Sequence, residues 1–194
     1  MKRTTLLLFC SFVLAAPAAF AQNHGEVGVF ADYFRLQQAP RDLFGVGARA
    51  SVNVHKYVQL EAELSYDFER GFAERFQRGS TISFSHSNLR ALHGLFGPKL
   101  QVGKMGWLSS RVFVTAKGGF LNVGFSDAHA PVAFSSQLSS LRSSNNKNAV
   151  FYPGGGWEGY IGPIGLRLDV GDEIFFNNGA NHNLKVTFGP HIRF

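Results

Sequence analysis

The chain has 194 residues with 20 Phe, 22 Gly, 2 Met and one cysteine, and Lys+Arg 19 against Asp+Glu 13 give a formal charge of +6. Cys10 lies within the first 21 residues, so the rest holds no thiol for a disulfide, a nucleophile or a metal. No stretch after residue 21 approaches the roughly 20 apolar residues of a membrane-spanning helix, and the mild basic excess gives no reason to expect a nucleic-acid module.

Residues 1–21, MKRTTLLLFCSFVLAAPAAFA, have a basic start at Lys2 and Arg3, an apolar run from Leu6 to Ala16 and the small-x-small ending Ala19-Phe20-Ala21. They read as a cleaved secretory signal, leaving residues 22–194 as one domain. Removing them takes away Lys2 and Arg3 and no acid, which lowers the charge from +6 to +4.

Eight alternating runs follow, with no comparable helical period. They fall near Glu26–Leu36, Phe44–Val54, Tyr57–Glu69, Asn88–Val102, Arg111–Phe125, Val150–Ile161, Ile164–Phe176 and Asn183–Phe194. Connections at 55–56, 103–109 and 162–163 are short, and those at 37–43, 70–87, 126–149 and 177–182 are mostly longer. This is the pattern of an all-β, eight-stranded antiparallel up-and-down barrel with two unlike rims. Parity breaks inside the fifth run, so a bulge is expected at Gly118-Gly119. FGPKLQV (96–102) and FGPHIRF (188–194) repeat one pattern near strand ends, with a bulge expected at Pro98 and at Pro190. The glycines of Pro153-Gly154-Gly155-Gly156 would let bulky interior side chains pass close to the backbone.

Each run has one apolar and one polar face. Val58, Leu60, Ala62, Leu64, Tyr66 and Phe68 oppose Gln59, Glu61, Glu63, Ser65, Asp67 and Glu69. A soluble lipocalin-like barrel would turn the apolar face inward; a membrane barrel turns it outward. The secretory signal and apolar faces about ten residues long favour the membrane barrel. So do aromatics near strand ends, Phe34, Phe68, Phe125, Phe151, Tyr152, Phe175 and Phe176 by the long loops and Tyr57, Trp107, Tyr160 and Phe194 by the short turns.

The signal, the eight strands, the unlike rims, the terminal Phe194 and the stretch GVFADYFRL…FGVGARASVNVHKYVQLEAELSYDF (28–68) together resemble the small eight-stranded outer-membrane barrels of Gram-negative bacteria, the OmpA membrane domain and OmpX among them. The resemblance implies location in the cell outer membrane among lipid and lipopolysaccharide. It also implies that Phe188, Ile192 and Phe194 form the carboxy-terminal signal read by the barrel assembly machinery. A monomer without cofactor or metal is expected.

Interior parity collects Glu26, Asp32, Arg49, Glu61, Glu63, Asp67, His93, Lys99, Lys117, Glu158, Arg167, Asp169, Glu173, Lys185, His191 and Arg193. Eight strands enclose little more than their own side chains, so a packed ion-pair network that plugs the lumen is the first reading. Its expected core is Arg49, Glu61, Glu63, Asp67, Lys117, Arg167, Asp169, Glu173, Lys185 and Arg193; a narrow pore is the alternative. Some barrels of this kind deacylate lipid A with a His/Ser pair and an acid. SHSN (85–88) offers His86 with Ser85 or Ser87, but His86 and Ser87 are adjacent and point to opposite faces of a strand, and no acid is placed to orient the imidazole. A structural or surface-interaction role without catalysis is therefore expected. Loops 70–87 and 126–149, with Arg70, Arg75, Arg78, Arg90 and Arg142, would meet lipopolysaccharide phosphates or an extracellular ligand.

Overall fold

The structure, a computed structural model, describes residues 24–37, 41–78, 80–103, 108–126, 135–136, 147–177 and 179–194, with backbone alone for 72–78, 81–87, 126 and 135–136. The expected signal, Trp107, Arg142 and most of 126–149 lie outside these residues. Eight strands build the barrel: β1 Gly25–Leu36, β2 Arg41–His55, β3 Val58–Arg78, β4 Thr81–Gly103, β5 Leu108–Ser126, β6 Lys147–Ile161, β7 Ile164–Asp172 and β8 Leu184–Arg193. Ile174–Phe176 continues β7 beyond a break at Glu173 and keeps its register against β6, from Gly154↔Gly171 to Phe151↔Ile174. At the break the Glu173 amide donates to the Asn183 carbonyl (2.7 Å), and Asn183 Nδ2 donates to the Glu173 carbonyl (3.0 Å). Sequence neighbours pair antiparallel, and β8 pairs with β1 from Glu26↔Arg193 to Arg35↔Leu184, closing the ring.

Because successive side chains alternate across a closed sheet, parity sorts them into outside and inside. Val29 (59% exposed), Phe96 (60%) and Val112 (59%) stand on the outer wall, whereas Lys99, Lys117 and Glu158 are fully enclosed. An apolar interior of the lipocalin kind is thereby set aside. On β2 the outward row is Phe44, Val46, Ala48, Ala50, Val52 and Val54. Ten steps of about 3.3 Å, tilted about 40°, stand about 25 Å tall, the height of a bilayer-facing band. Outward charges appear beyond this band, at Arg35 and Arg90 toward the long loops.

Four expectations change. First, residues 70–87 are not a loop: β3 and β4 stay paired from Arg70↔Leu89 to Arg78↔Thr81, after a register shift between Asp67 and Arg70 that adds one residue on β3. Two strands satisfy each other's backbone beyond the barrel, which the Arg- and Gly-rich sequence concealed. Second, no bulge interrupts β5 at Gly118-Gly119; its registers against β4 and β6 hold from end to end, so Leu121 and Val123 face inward and are buried.

Third, the prolines bring no register shift. The ladder instead lapses on one side of each, at Gly97-Pro98 facing β5 and at Gly189-Pro190 facing β1, and then resumes in register. Each proline, lacking an N–H, points outward, and each preceding glycine points inward with a neighbouring strand crowded against it. Fourth, Phe34, Tyr152, Tyr160 and Phe175 belong to no outer girdle: each is at most 1% exposed and fills the lumen. Glycines make the room. A Cβ on Gly154 or Gly171 would press on the Tyr152 ring, and one on Gly156 would press on Phe113. Outward aromatics remain at Phe44, Phe68, Phe151 and Phe176 on the long-loop side and at Tyr57 and Trp157 on the other.

The β1–β8 seam should be intolerant at Gly189, where a Cβ would overlap the Val29 carbonyl oxygen and crowd Phe30 Cα, whereas a Cβ on Gly118 meets nothing closer than 3.9 Å. Gly189→Val is expected to cost about 1–3 kcal/mol or more in urea unfolding of the refolded barrel, with Gly118→Ala near neutral. Equal effects would contradict the seam geometry.

Candidate functional site

The interior is organised in layers, each assembled from several strands. Nearest the short turns, Lys99 Nζ contacts Glu158 Oε1 (2.5 Å) and Glu26 Oε2 (3.7 Å), and Arg111 Nη1 lies 3.4 Å from Glu26 Oε1. The Tyr160 hydroxyl sits between Glu26 Oε1 (2.9 Å) and Glu158 Oε2 (3.0 Å). The His191 ring stands edge-on to Tyr160, with 4.7 Å between centroids.

In the middle layer the Arg167 guanidinium forks onto Glu61 and also donates to Asp169 Oδ2 (2.7 Å). Lys117 Nζ lies among Glu61 Oε1 (2.6 Å), Glu63 Oε1 (2.9 Å) and Asp169 Oδ2 (3.7 Å). Arg49 pairs with Glu63 (3.5 Å) and donates to Thr187 Oγ1 (2.7 Å). Arg167 links this layer to the one below through Glu158 (3.4 Å).

The third layer centres on His93, whose Nδ1 meets Glu173 Oε1 at 2.6 Å and whose Nε2 meets Asp67 Oδ2 at 2.9 Å. With both carboxyl groups ionised they only accept, and the ring between them donates from both nitrogens as the imidazolium. Lys185 Nζ completes the layer with Asp32 Oδ2 (2.6 Å), Glu173 Oε2 (3.4 Å) and Ser65 Oγ (3.2 Å). Above it Phe34 packs edge-on against His93 at 4.8 Å and begins an apolar roof with Leu36, Leu43, Leu89, Leu121, Val123, Val150 and Phe175.

Among the described residues eight carboxylates are buried, at Glu26, Asp32, Glu61, Glu63, Asp67, Glu158, Asp169 and Glu173, against six Lys and Arg, at 49, 99, 111, 117, 167 and 185. Eight minus six leaves two negative charges. His93 in its imidazolium form offsets one of them, in the third layer.

Of the ten residues expected to form the network, nine meet inside the barrel. Arg193 lies at the rim, half-buried, where Nη2 donates to the Gly162 carbonyl (3.0 Å) and the guanidinium stands 4.7 Å from the Tyr160 ring. Sequence reasoning missed Arg111, Phe113, Tyr152 and Tyr160. The signal for Arg111 was present, since it shares parity with Lys117. Phe113 and Tyr152 answer the cations: Arg167 lies 4.1 Å from the Phe113 centroid and Lys117 lies 5.3 Å from that of Tyr152, whose hydroxyl donates to Asp169 Oδ1 (2.9 Å). The side chains of His86, Ser85 and Ser87 lie outside the described residues; their backbone belongs to the β3–β4 extension, where His86 pairs with Ala73.

No family model and no curated protein matches the chain. Solved structures do. Neisserial surface protein A (NspA) has a TM-score of 0.51 at 9% identity, over 88% of this chain and 96% of that one. The N-terminal β-barrel domain of Pseudomonas aeruginosa OprF has a TM-score of 0.48 at 16% identity, over 89% and 98%. Ail, the attachment invasion locus protein of Yersinia pestis, solved in complex with the heparin analogue sucrose octasulfate, has a TM-score of 0.46 at 12% identity, over 88% and 97%. The likeness is one of fold: the chain is a closed antiparallel barrel of the kind found among small outer-membrane proteins.

The middle layer sets the energetic scale. Removing one partner of a buried, hydrogen-bonded pair strands the other charge, at a cost of about 3–5 kcal/mol. Arg167→Met should cost that much in urea unfolding, and adding Glu61→Leu should recover part of it. A double variant as unstable as the sum of both singles would show that the two side chains act independently.

Proposed function

We propose that this chain is an outer-membrane barrel with a closed lumen, acting as a structural or surface-interaction protein through its long-loop end and catalysing no reaction. The observation that carries this is the double filling of the interior. Paired charges occupy the lower and middle layers, and above them lies a roof built from buried apolar side chains. A permeant ion would have to separate Arg167 from Glu61 and then cross the roof, and a hydrated charge is expensive in apolar surroundings. The outer wall, uncharged over about 25 Å, fits a bilayer.

At the long-loop rim Arg35, Arg41, Arg70 and Arg90 are exposed. Arg70 Nη1 donates to the Asp42 carbonyl (2.9 Å) and stands 5.8 Å from the Phe44 ring. Guanidinium forks beside interfacial aromatics suit lipopolysaccharide phosphates or an anionic extracellular ligand. At the other rim, the Phe194 amide donates to the Gly25 carbonyl (3.0 Å), and the amides of His24 and Gly25 donate to the Phe194 carbonyl (2.9 and 3.1 Å). These bonds support the reading of Phe194, with Phe188 and Ile192 outward beside it, as the assembly signal.

In planar bilayers the purified protein is expected to give no steady, discrete conductance. Reproducible channels that vanish on neutralising Glu61 and Arg167 would establish a pore instead. In cells the chain should fractionate with the outer membrane and run differently on gels when boiled and unboiled. Deleting Phe194 should reduce the heat-modifiable form more than deleting residues 135–145 does; equal losses would count against the assembly role.

A further inference from the structure

The geometry points to a divalent transition-metal site inside the short-turn rim, formed by Glu26 of β1, Glu158 of β6 and His191 of β8, with the Tyr160 hydroxyl as a fourth donor. One oxygen of each carboxylate and one ring nitrogen of His191 lie within 4.8 Å of one another. His191 is only 3% exposed, yet neither of its ring nitrogens has a hydrogen-bond partner. It is held there by two glycines: a Cβ on Gly28 would press on His191 Cβ, and one on Gly165 would lie 2.5 Å from His191 Nε2. A buried imidazole without a partner is a lone pair awaiting an acceptor of electrons.

The phenol adds a second deficit. Tyr160 has one proton but lies within hydrogen-bond distance of two carboxylate oxygens, Glu26 Oε1 and Glu158 Oε2, and it can donate to only one of them. Lys99 takes the opposite oxygens, Glu158 Oε1 and Glu26 Oε2. The side facing the phenol holds the less tightly engaged oxygens, with Arg111 Nη1 on Glu26 Oε1 only at 3.4 Å, and is the one where an ion enters. The second acidic cluster, Glu61, Glu63 and Asp169, makes the contrast, because Lys117 Nζ already lies among all three carboxylates.

Imidazole with carboxylate and phenol oxygens is a donor set for zinc, cobalt, nickel or iron rather than for calcium. Tetrahedral metal–ligand bonds of about 2.0–2.2 Å hold ligand pairs about 3.4 Å apart, so the farthest side chains close by about 1 Å around the ion. Lys99 and Arg111 share the same acids and compete with it. Bound there, the ion ties β1, β6 and β8 together across the closing seam.

The test uses untagged barrel refolded in detergent and passed over a chelating resin, with folding of every variant checked by heat-shifted gel mobility. Titration with Zn²⁺ against a chromophoric chelator should give one ion per barrel. His191→Gln should weaken it by about tenfold or more, the exposed His24→Gln should leave it unchanged, and Lys99→Met, which removes the competitor, should tighten it. X-ray absorption of the wild-type zinc form, which needs no variant, should report one nitrogen among oxygen neighbours. No zinc retained beyond that of the urea-unfolded chain, uptake undiminished in His191→Gln, loss in His24→Gln, or a shell of several nitrogens would each overturn the site.

Discussion

The hydrogen bonds between β1 and β8 turn a sheet with two edges into a ring with none, and a ring has an inside and an outside that an edge-bearing sheet lacks. Once the ring is closed, the period of two decides the fate of every side chain. The apolar row of β2 becomes part of the outer wall, while Arg49 and Ser51 between its members are enclosed. In lipid the same closure is obligatory, because hydrocarbon offers no partner to an unpaired strand. An amphipathic sequence with the wrong sign for water thus has the right sign for a bilayer.

Closure creates a second problem, an interior that must be filled. Neither charges nor hydrophobes do this alone. Carboxylates and cations from strands far apart in sequence meet in pairs, as Glu61 of β3 does with Arg167 of β7. Their tips leave gaps that rings occupy, and those rings lie against glycines of neighbouring strands, Tyr152 over Gly154 and Gly171. Cations on these rings recover part of the lost hydration through the ring faces. The lower layer balances Glu26 and Glu158 with Lys99 and Arg111, and the middle layer balances Glu61, Glu63 and Asp169 with Arg49, Lys117 and Arg167, whereas the third sets three acids against Lys185 and His93.

Fold class, strand number and the inward set of charges were legible because period-two alternation survives in a single sequence. What was not legible has physical reasons. Leu121 and Val123 mimic a change of face after Gly118-Gly119 because interior positions, polar lower in the barrel, turn apolar at the roof toward the long loops. Phe34, Tyr152, Tyr160 and Phe175 near strand ends suggested interfacial girdles, but parity outranked proximity to the rim. The β3–β4 extension resembles a loop in sequence because Arg, Gly and Ser interrupt its few apolar residues, Phe72, Phe76, Ile82 and Phe84, so that no continuous apolar face marks it. Which acid meets which base was beyond reach from the sequence, since it depends on the stagger of strands around the ring.

The two repeated Phe-Gly-Pro segments join these themes. At Pro98 and Pro190 the missing N–H falls on an outward residue, and the ladder gives up its bonds on one side while keeping register. The inward glycine before each proline lets the neighbouring strand approach where a side chain would hold it off. One such lapse lies within the closing seam itself, a single step from His191. The ladder is whole where Glu26 and His191 stand, from Glu26↔Arg193 to Gly28↔His191, and lapses one step further in, so interior side chains share with the backbone the task of holding β8 against β1 there.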